Sequence, residues 1–148
     1  MGRPTLWGAA EILRSYFSRA ATPPPSFYVA LIVDVAPNPY ITGDELSEPV
    51  VGGYARAELP NDVTTWGDQN TGQLHMIYNI EDLAFTSATA DWGIVSYWAM
   101  CDSVIGGNVL FVGEFEEPSY ISNGDQVVIP AALLAVEFGP FFFDEEPG

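Results

Sequence analysis

The chain has 148 residues, 20 of them Asp or Glu against 4 Lys or Arg, yet it is 48% hydrophobic and 14% aromatic. So lopsided a charge excludes nucleic acid as a partner of the body, since phosphate binding is driven by Lys and Arg displacing counterions, and it disfavours anionic membrane surfaces for the same reason. The apolar content excludes disorder, and one cysteine, Cys101, excludes an internal disulfide or a cysteine-rich zinc site.

The charge is split along the chain. Residues 1–20 carry Arg3, Arg14 and Arg19 against Glu11, while the remainder carries Arg56 alone against nineteen acids. No secretory signal is expected, because Glu11 and Arg14 interrupt the first apolar stretch, and the longest apolar run, Phe27 to Val33, is too short to span a bilayer.

Residues 5–20 are expected to form the one helix. Thr5 can cap it, and Leu6, Ala9, Leu13, Phe17 and Ala20 recur at three- and four-residue spacing to make an apolar stripe, with Arg14 and Arg19 toward the C-terminal end, where they complement the helix dipole. Pro23, Pro24 and Pro25 end the segment and stiffen its connection to the rest of the chain. Such a helix either folds back over one end of the body or serves as a docking peg, bundled with its copies or inserted in a partner. On the docking reading, Leu6, Leu13 and Phe17 are the apolar contact, Arg14 and Arg19 meet an acidic surface, and removal of residues 1–22 leaves a folded body.

From Ser26 the period becomes two. Phe27, Val29, Leu31 and Val33 alternate with Tyr28, Ala30 and Ile32, so both faces of a central strand are covered. A long Pro-, Gly- and acid-rich loop runs from Ala36 to Gly53. Further strands are expected at 54–59, 73–80, 83–87, 93–102, 108–115, 126–129 and 133–138, separated by turn chemistry such as Gly52-Gly53, Gly106-Gly107 and Asn123-Gly124. Short strands at this spacing behind a single helix indicate a mainly β chain, an antiparallel β-sandwich or jelly-roll-like barrel. The organisation expected is therefore a helix at 1–22, a β domain at 23–138 and a Phe-rich acidic tail at 139–148. In that tail Phe141, Phe142 and Phe143 either cap the open end of the sandwich or anchor in a neighbouring subunit.

Catalytic chemistry is sparse. His75 has no second histidine or suitable nucleophile beside it, and Cys101 sits in a strand with apolar residues on both sides. Glu114 and Glu116 on one side of a strand, with Trp92 and Trp98 near in sequence, are the best candidate for a glycosidase pair. A divalent cation would choose Asp44, Glu45 and Glu48, or Asp125, although neither segment has the spacing of an EF-hand loop. No cofactor is expected. Arg56, with Glu58 and Asp62 close in sequence, reads as half of a structural ion pair tying strand to loop; Trp92 reads as a core anchor and Gly93 as the turn into the next strand.

Several segments, taken in order, resemble a family of small tailed-bacteriophage virion proteins, commonly called tail fibre or minor tail proteins. They are the helix and proline joint, FYVALIVD, VGGYARAEL, TADWGIVSYWAMCD, GGNVLFVGEF and ISNGDQVVIPAALLAVEF. The most specific pieces are Gly53-Tyr54-Ala55-Arg56, Ala90-Asp91-Trp92-Gly93 and Asn123-Gly124-Asp125. The resemblance implies a β-sandwich building block without catalysis, made in the host cytoplasm and carried in the virion. Together with the charge split it leads us to expect a self-assembling minor tail or fibre-base subunit that docks on another virion protein. The alternatives are a capsid decoration protein, separable by copy number in the particle, and a carbohydrate-binding adhesion module.

Overall fold

The computed structural model describes residues 2–70 and 74–138. In chain order its elements are β1 (Arg3–Pro4), α1 (Leu6–Tyr16), β2 (Ser26–Val33), β3 (Ala57–Pro60), β4 (Trp66–Asn70), β5 (His75–Asn79), β6 (Leu83–Ala84), β7 (Gly93–Cys101), β8 (Val109–Ile121), β9 (Val128–Ile129) and β10 (Ala135–Phe138). They form a five-stranded sheet in the order β1-β8-β7-β2-β3, a three-stranded sheet β10-β5-β4 and a two-stranded sheet β6-β9, with every strand pair antiparallel. This is the mainly β chain with one N-terminal helix that the periodicity indicates. The sheets remain open, so the barrel alternative falls away.

Both faces of β2 are buried, and for different reasons. Val29, Leu31 and Val33 point into the main core, where β7 adds Val95, Trp98 and Met100, the smaller sheets add Leu83, Ile129 and Val136, and Leu134 joins them just ahead of β10. Ala30 and Ile32 point to the other side, where Ile41 and Leu46 of the long loop cover them together with Ala99, Cys101 and Val109. The loop after β2 is thus a lid over the outer face of the large sheet, which is why it is long and yet contributes apolar residues.

The observed helix is shorter than the expected 5–20. Thr5 caps it, its Oγ1 accepting from the Gly8 N–H at 2.9 Å, but regular helix ends at Tyr16. Ser18 and Arg19 then adopt φ of 66° and 56°, and the Ala20 N–H closes back on the Arg14 carbonyl at 3.0 Å. Left-handed residues stop the helix before the prolines are reached. The proline joint itself is fixed to the body, since Asn61 donates from its backbone to the Pro25 carbonyl and from Nδ2 to that of Pro24, both at 2.9 Å.

The strand expected at 54–59 begins only at Ala57, and those expected at 83–87 and 126–129 shrink to Leu83–Ala84 and Val128–Ile129; two others depart further. Residues 66–70, Trp-Gly-Asp-Gln-Asn, have no apolar alternation, yet they pair with β5 from Trp66–Asn79 to Asn70–His75, because an edge strand with one wet side needs only its ladder. Strand β8 runs on to Ile121 rather than stopping at Phe115. The ladder jumps from Tyr97–Glu114 to Val95–Ser119, and the bulge between them accommodates Pro118. Residues 2–4 also do unexpected structural work. Arg3 and Pro4 pair with Val112 and Phe111 of β8, and Gly2 bridges Val136 of β10, so the first residues clasp the large sheet to the three-stranded one. Removing residues 1–22 would remove this clasp together with α1.

Candidate docking surfaces

Helix α1 is held by one face. The Gly8 backbone lies so close to strand β8 that a Cβ there would come within 2.1 Å of the Leu110 carbonyl oxygen; only glycine permits the approach. Thr5 is buried, donates from its hydroxyl to the Val109 carbonyl at 2.5 Å, and receives α1 through its cap. A rotation of 100° per residue puts Leu6, Leu13 and Phe17 well away from Gly8. They are accordingly 53%, 58% and 64% exposed, with Tyr16 more exposed still and stacked edge-on against Phe17 at 5.4 Å. Arg14 pairs with Glu11 at 3.2 Å on the helix surface, and Arg19 is exposed just beyond. The apolar stripe seen in the sequence therefore faces water, while the contact with the body is made by Gly8 and its neighbours.

Arg56 is the centre of the second arrangement. Its side chain is 2% exposed and its partner carboxylate is Glu48, 17% exposed, rather than Glu58 or Asp62. All five guanidinium N–H groups are used. Nε and Nη2 donate to the two Glu48 oxygens at 3.0 and 2.8 Å, Nη1 donates to the carbonyls of Ser103 and Gly106 at 2.8 and 2.9 Å, and Nη2 also reaches the Gly43 carbonyl at 3.2 Å. Tyr54 completes the knot, donating to Glu48 Oε1 at 2.6 Å and accepting from the Leu31 N–H at 3.0 Å. Burial alone would pull the Arg56 pKa down, but the Glu48 hydrogen bonds and the surrounding negative charge outweigh it, so the cation is held more firmly than usual. One cation thereby fastens the lid loop to the β7–β8 turn. Glu58 instead accepts from Ser26 Oγ at 2.6 Å. Asp62 accepts from the hydroxyls and backbone N–H groups of Thr64 and Thr65, which hold its pKa below the usual carboxylate value.

Trp92 is buried, donates from Nε1 to the Gly52 carbonyl at 3.0 Å and packs edge-on to Tyr54 at 5.4 Å. Gly93 comes next, with φ of 98°, and opens β7, a conformation that costs any residue with a Cβ. Glu48 is fully engaged by Arg56 and Tyr54, Glu45 accepts from the Thr42 N–H at 3.0 Å, and Asp125 accepts from the Ser122 N–H at 2.8 Å. Among the described residues no three acids, histidines or cysteines come together as a metal site, and no helix is long and apolar enough to cross a membrane. Glu114, Glu116 and Glu117 line a cleft of 380 Å³ at the β8 bulge with Phe115 and Leu133. Phe141, Phe142 and Phe143 lie outside the described residues.

A third feature had no clear signal in the sequence. At one open end of the sandwich a cavity of 770 Å³ lies between the sheets, lined by Ile12 of α1, Phe27, Met100 and Phe111 of the large sheet, and Trp66 and Ile77 of the small one. His75, Asp62 and Asp68 supply its polar groups. Only the packing of the two sheets brings these residues together.

The Cys101 thiol is pushed up to about 12, by burial first and against the pull of Arg56, and burial together with the Glu48 carboxylate also raises the Tyr54 hydroxyl. Both groups stay protonated in the fold and ionise more readily in the unfolded chain. Their contribution is complete below the ordinary thiol value of 9.0 and is lost as the pH climbs toward 12. The unfolding free energy from urea titrations is expected to fall steadily above pH 9, and Cys101→Ala is expected to flatten part of that fall. A level profile in the unsubstituted chain would contradict the buried, protonated state.

Residues 5–137 match the family described as Podophage GP4 fiber I protein gp80. The chain belongs to this family. It is thus a phage fibre-family protein, a structural component of the virion, and the match spans α1, the Arg56 knot and the strands as far as β10. No curated protein matches it.

Proposed function

We propose that this fibre-family chain is a non-enzymatic minor tail or fibre-base subunit that assembles with copies of itself and docks on another virion protein through the outward face of α1. The observation that carries this reading is the exposed stripe of Leu6, Leu13 and Phe17 on a helix whose opposite face is pinned at Gly8. A pinned helix presents its stripe in one orientation, so little conformational entropy remains to be lost on association. Arg14 and Arg19 flank the stripe, and they are two of only four cations on a chain with 20 acids. A basic, apolar helix against acidic bodies favours contact through the helix and discourages contact between bodies. The partners on this reading are proteins, not nucleic acid or membrane, and no cofactor takes part.

Leu13→Glu with Phe17→Glu tests the reading directly. Both side chains face water, so stability is expected to change by no more than about 0.5 kcal/mol, while self-association in sedimentation and incorporation into particles are both expected to be lost. Normal incorporation of a stably folded double variant would refute docking through this face. Copy number in purified particles separates a fibre-base position from a capsid decoration.

A further inference from the structure

Among the described residues, Arg19 is the one arginine without an ion pair: Arg3 pairs with Glu137, Arg14 with Glu11 and Arg56 with Glu48. The left-handed turn at Ser18 and Arg19, closed by the Ala20 N–H on the Arg14 carbonyl, holds this cation two residues beyond the exposed Phe17. Arg14 stands on the other side of Phe17 in the chain, and its pair with Glu11 is exposed and therefore weak enough to exchange partners. An aromatic flanked by arginines is the combination that anchors protein interfaces. In its own chain the helix is pinned at Gly8 with this face in water, so the acids it meets belong to another molecule.

The matching surface lies at the bulge of β8. The ladder with β7 passes from Glu114 opposite Tyr97 to Ser119 opposite Val95, so residues 115–118 face the single residue Ser96. An insertion of that kind bends the strand and redirects its side chains. Glu114, Glu116 and Glu117 are exposed there and rim the cleft of 380 Å³, in which Phe115 and the half-exposed Leu133 supply the apolar wall. Among the described residues none of these three acids takes part in an ion pair. A chain with a net charge of -16 repels its copies over most of its surface, and a copy that turns this cleft to α1 offers opposite charge and an apolar wall in one place.

Resting on the reading of α1 as a docking helix, we propose that its partner is a second copy of the chain: Phe17 of one copy enters the β8 cleft of the next, against Phe115 and Leu133, while Arg14 and Arg19 pair with the glutamate rim. The two surfaces share no residue, so the contact is head to tail. Each copy presents one helix and one cleft, and successive copies close into a ring or continue as a filament.

Sedimentation of two full-length variants, separately and mixed, tests this. Phe17→Ser with Arg19→Ser removes the helix side of the contact, and Glu116→Arg with Glu117→Arg removes the cleft side. The unsubstituted chain is expected to form assemblies of more than two copies and each variant alone to be monomeric. An equal mixture is expected to give a one-to-one pair and nothing larger, because only one intact helix and one intact cleft remain; that recovery also shows that both variants are folded. Assembly of the cleft variant as in the unsubstituted chain, with the helix variant monomeric, would overturn the cleft as the partner and leave docking through α1 standing. Two monomeric variants that form no pair when mixed would overturn the head-to-tail contact. Normal assembly of both variants would overturn docking through α1 together with the proposal, and an unsubstituted chain that is monomeric at millimolar concentration would overturn the second copy as partner.

Discussion

Replacing Arg56 with Met is expected to destabilise the fold by about 3–5 kcal/mol, the cost of leaving a buried charge and its neighbours without a partner. The reason is the completeness of its bonding. Every guanidinium N–H is committed, two to Glu48 and three to the carbonyls of Gly43, Ser103 and Gly106. Removing the cation strands a carboxylate that is 17% exposed and leaves three loop carbonyls short of a donor. Arg56→Lys is expected to recover only part of the loss, since an ammonium has three donors in place of five and no planar fork for the carboxylate. Adding Glu48→Leu to Arg56→Met removes the stranded charge but not the carbonyls, so it too should recover only part. Urea titration of the four proteins measures these differences; a loss below about 1 kcal/mol for Arg56→Met, the scale of an exposed pair, would show that the knot opens to solvent.

Trp98→Ala is expected to cost a similar amount, about 3–5 kcal/mol, as removal of a large buried aromatic does. Trp98 lies at the centre of β7, opposite Leu31 on one side and Gly113 on the other. Its indole occupies space that two glycines leave free: a Cβ on Gly113 or on Gly2 would approach it to 2.3 Å. The residue thus joins the large sheet to the clasp formed by the first residues of the chain, and a void there loosens both. Gly113→Ala alone is expected to cost about 1–3 kcal/mol by overpacking. Combined with Trp98→Leu it should cost less than the two single changes together, since each relieves the other's misfit. Strict additivity in thermal or urea unfolding would contradict this packing.

Much of the fold is legible from local pattern. The period-two run from Phe27 to Val33 announces a strand covered on both faces, and the core on one side with the lid loop on the other supplies that cover. Thr5 caps the helix because its hydroxyl is placed to accept an orphan N–H whatever lies beyond. Strand β4 was not legible, because Trp66–Asn70 has no alternation and only Trp66 as a strand former, and it exists by pairing with β5. The extension of β8 past Phe115 was hidden by a proline that only a bulge can absorb.

The candidate sites divide in the same way. Composition by itself determines that Arg56 is the one cation in the body and that Leu6, Leu13 and Phe17 share a helix face, because charge is counted and helical periodicity is local. Only the tertiary structure decided that Glu48, and not Glu58 or Asp62, is the partner of Arg56, since the choice depends on a loop folding across the outer face of the large sheet. Only the tertiary structure decided that the helix rests on Gly8 and turns its stripe to water. A helix seen as sequence has an apolar face but no neighbour, and the close backbone approach that selects a glycine is a property of two segments about a hundred residues apart in the chain.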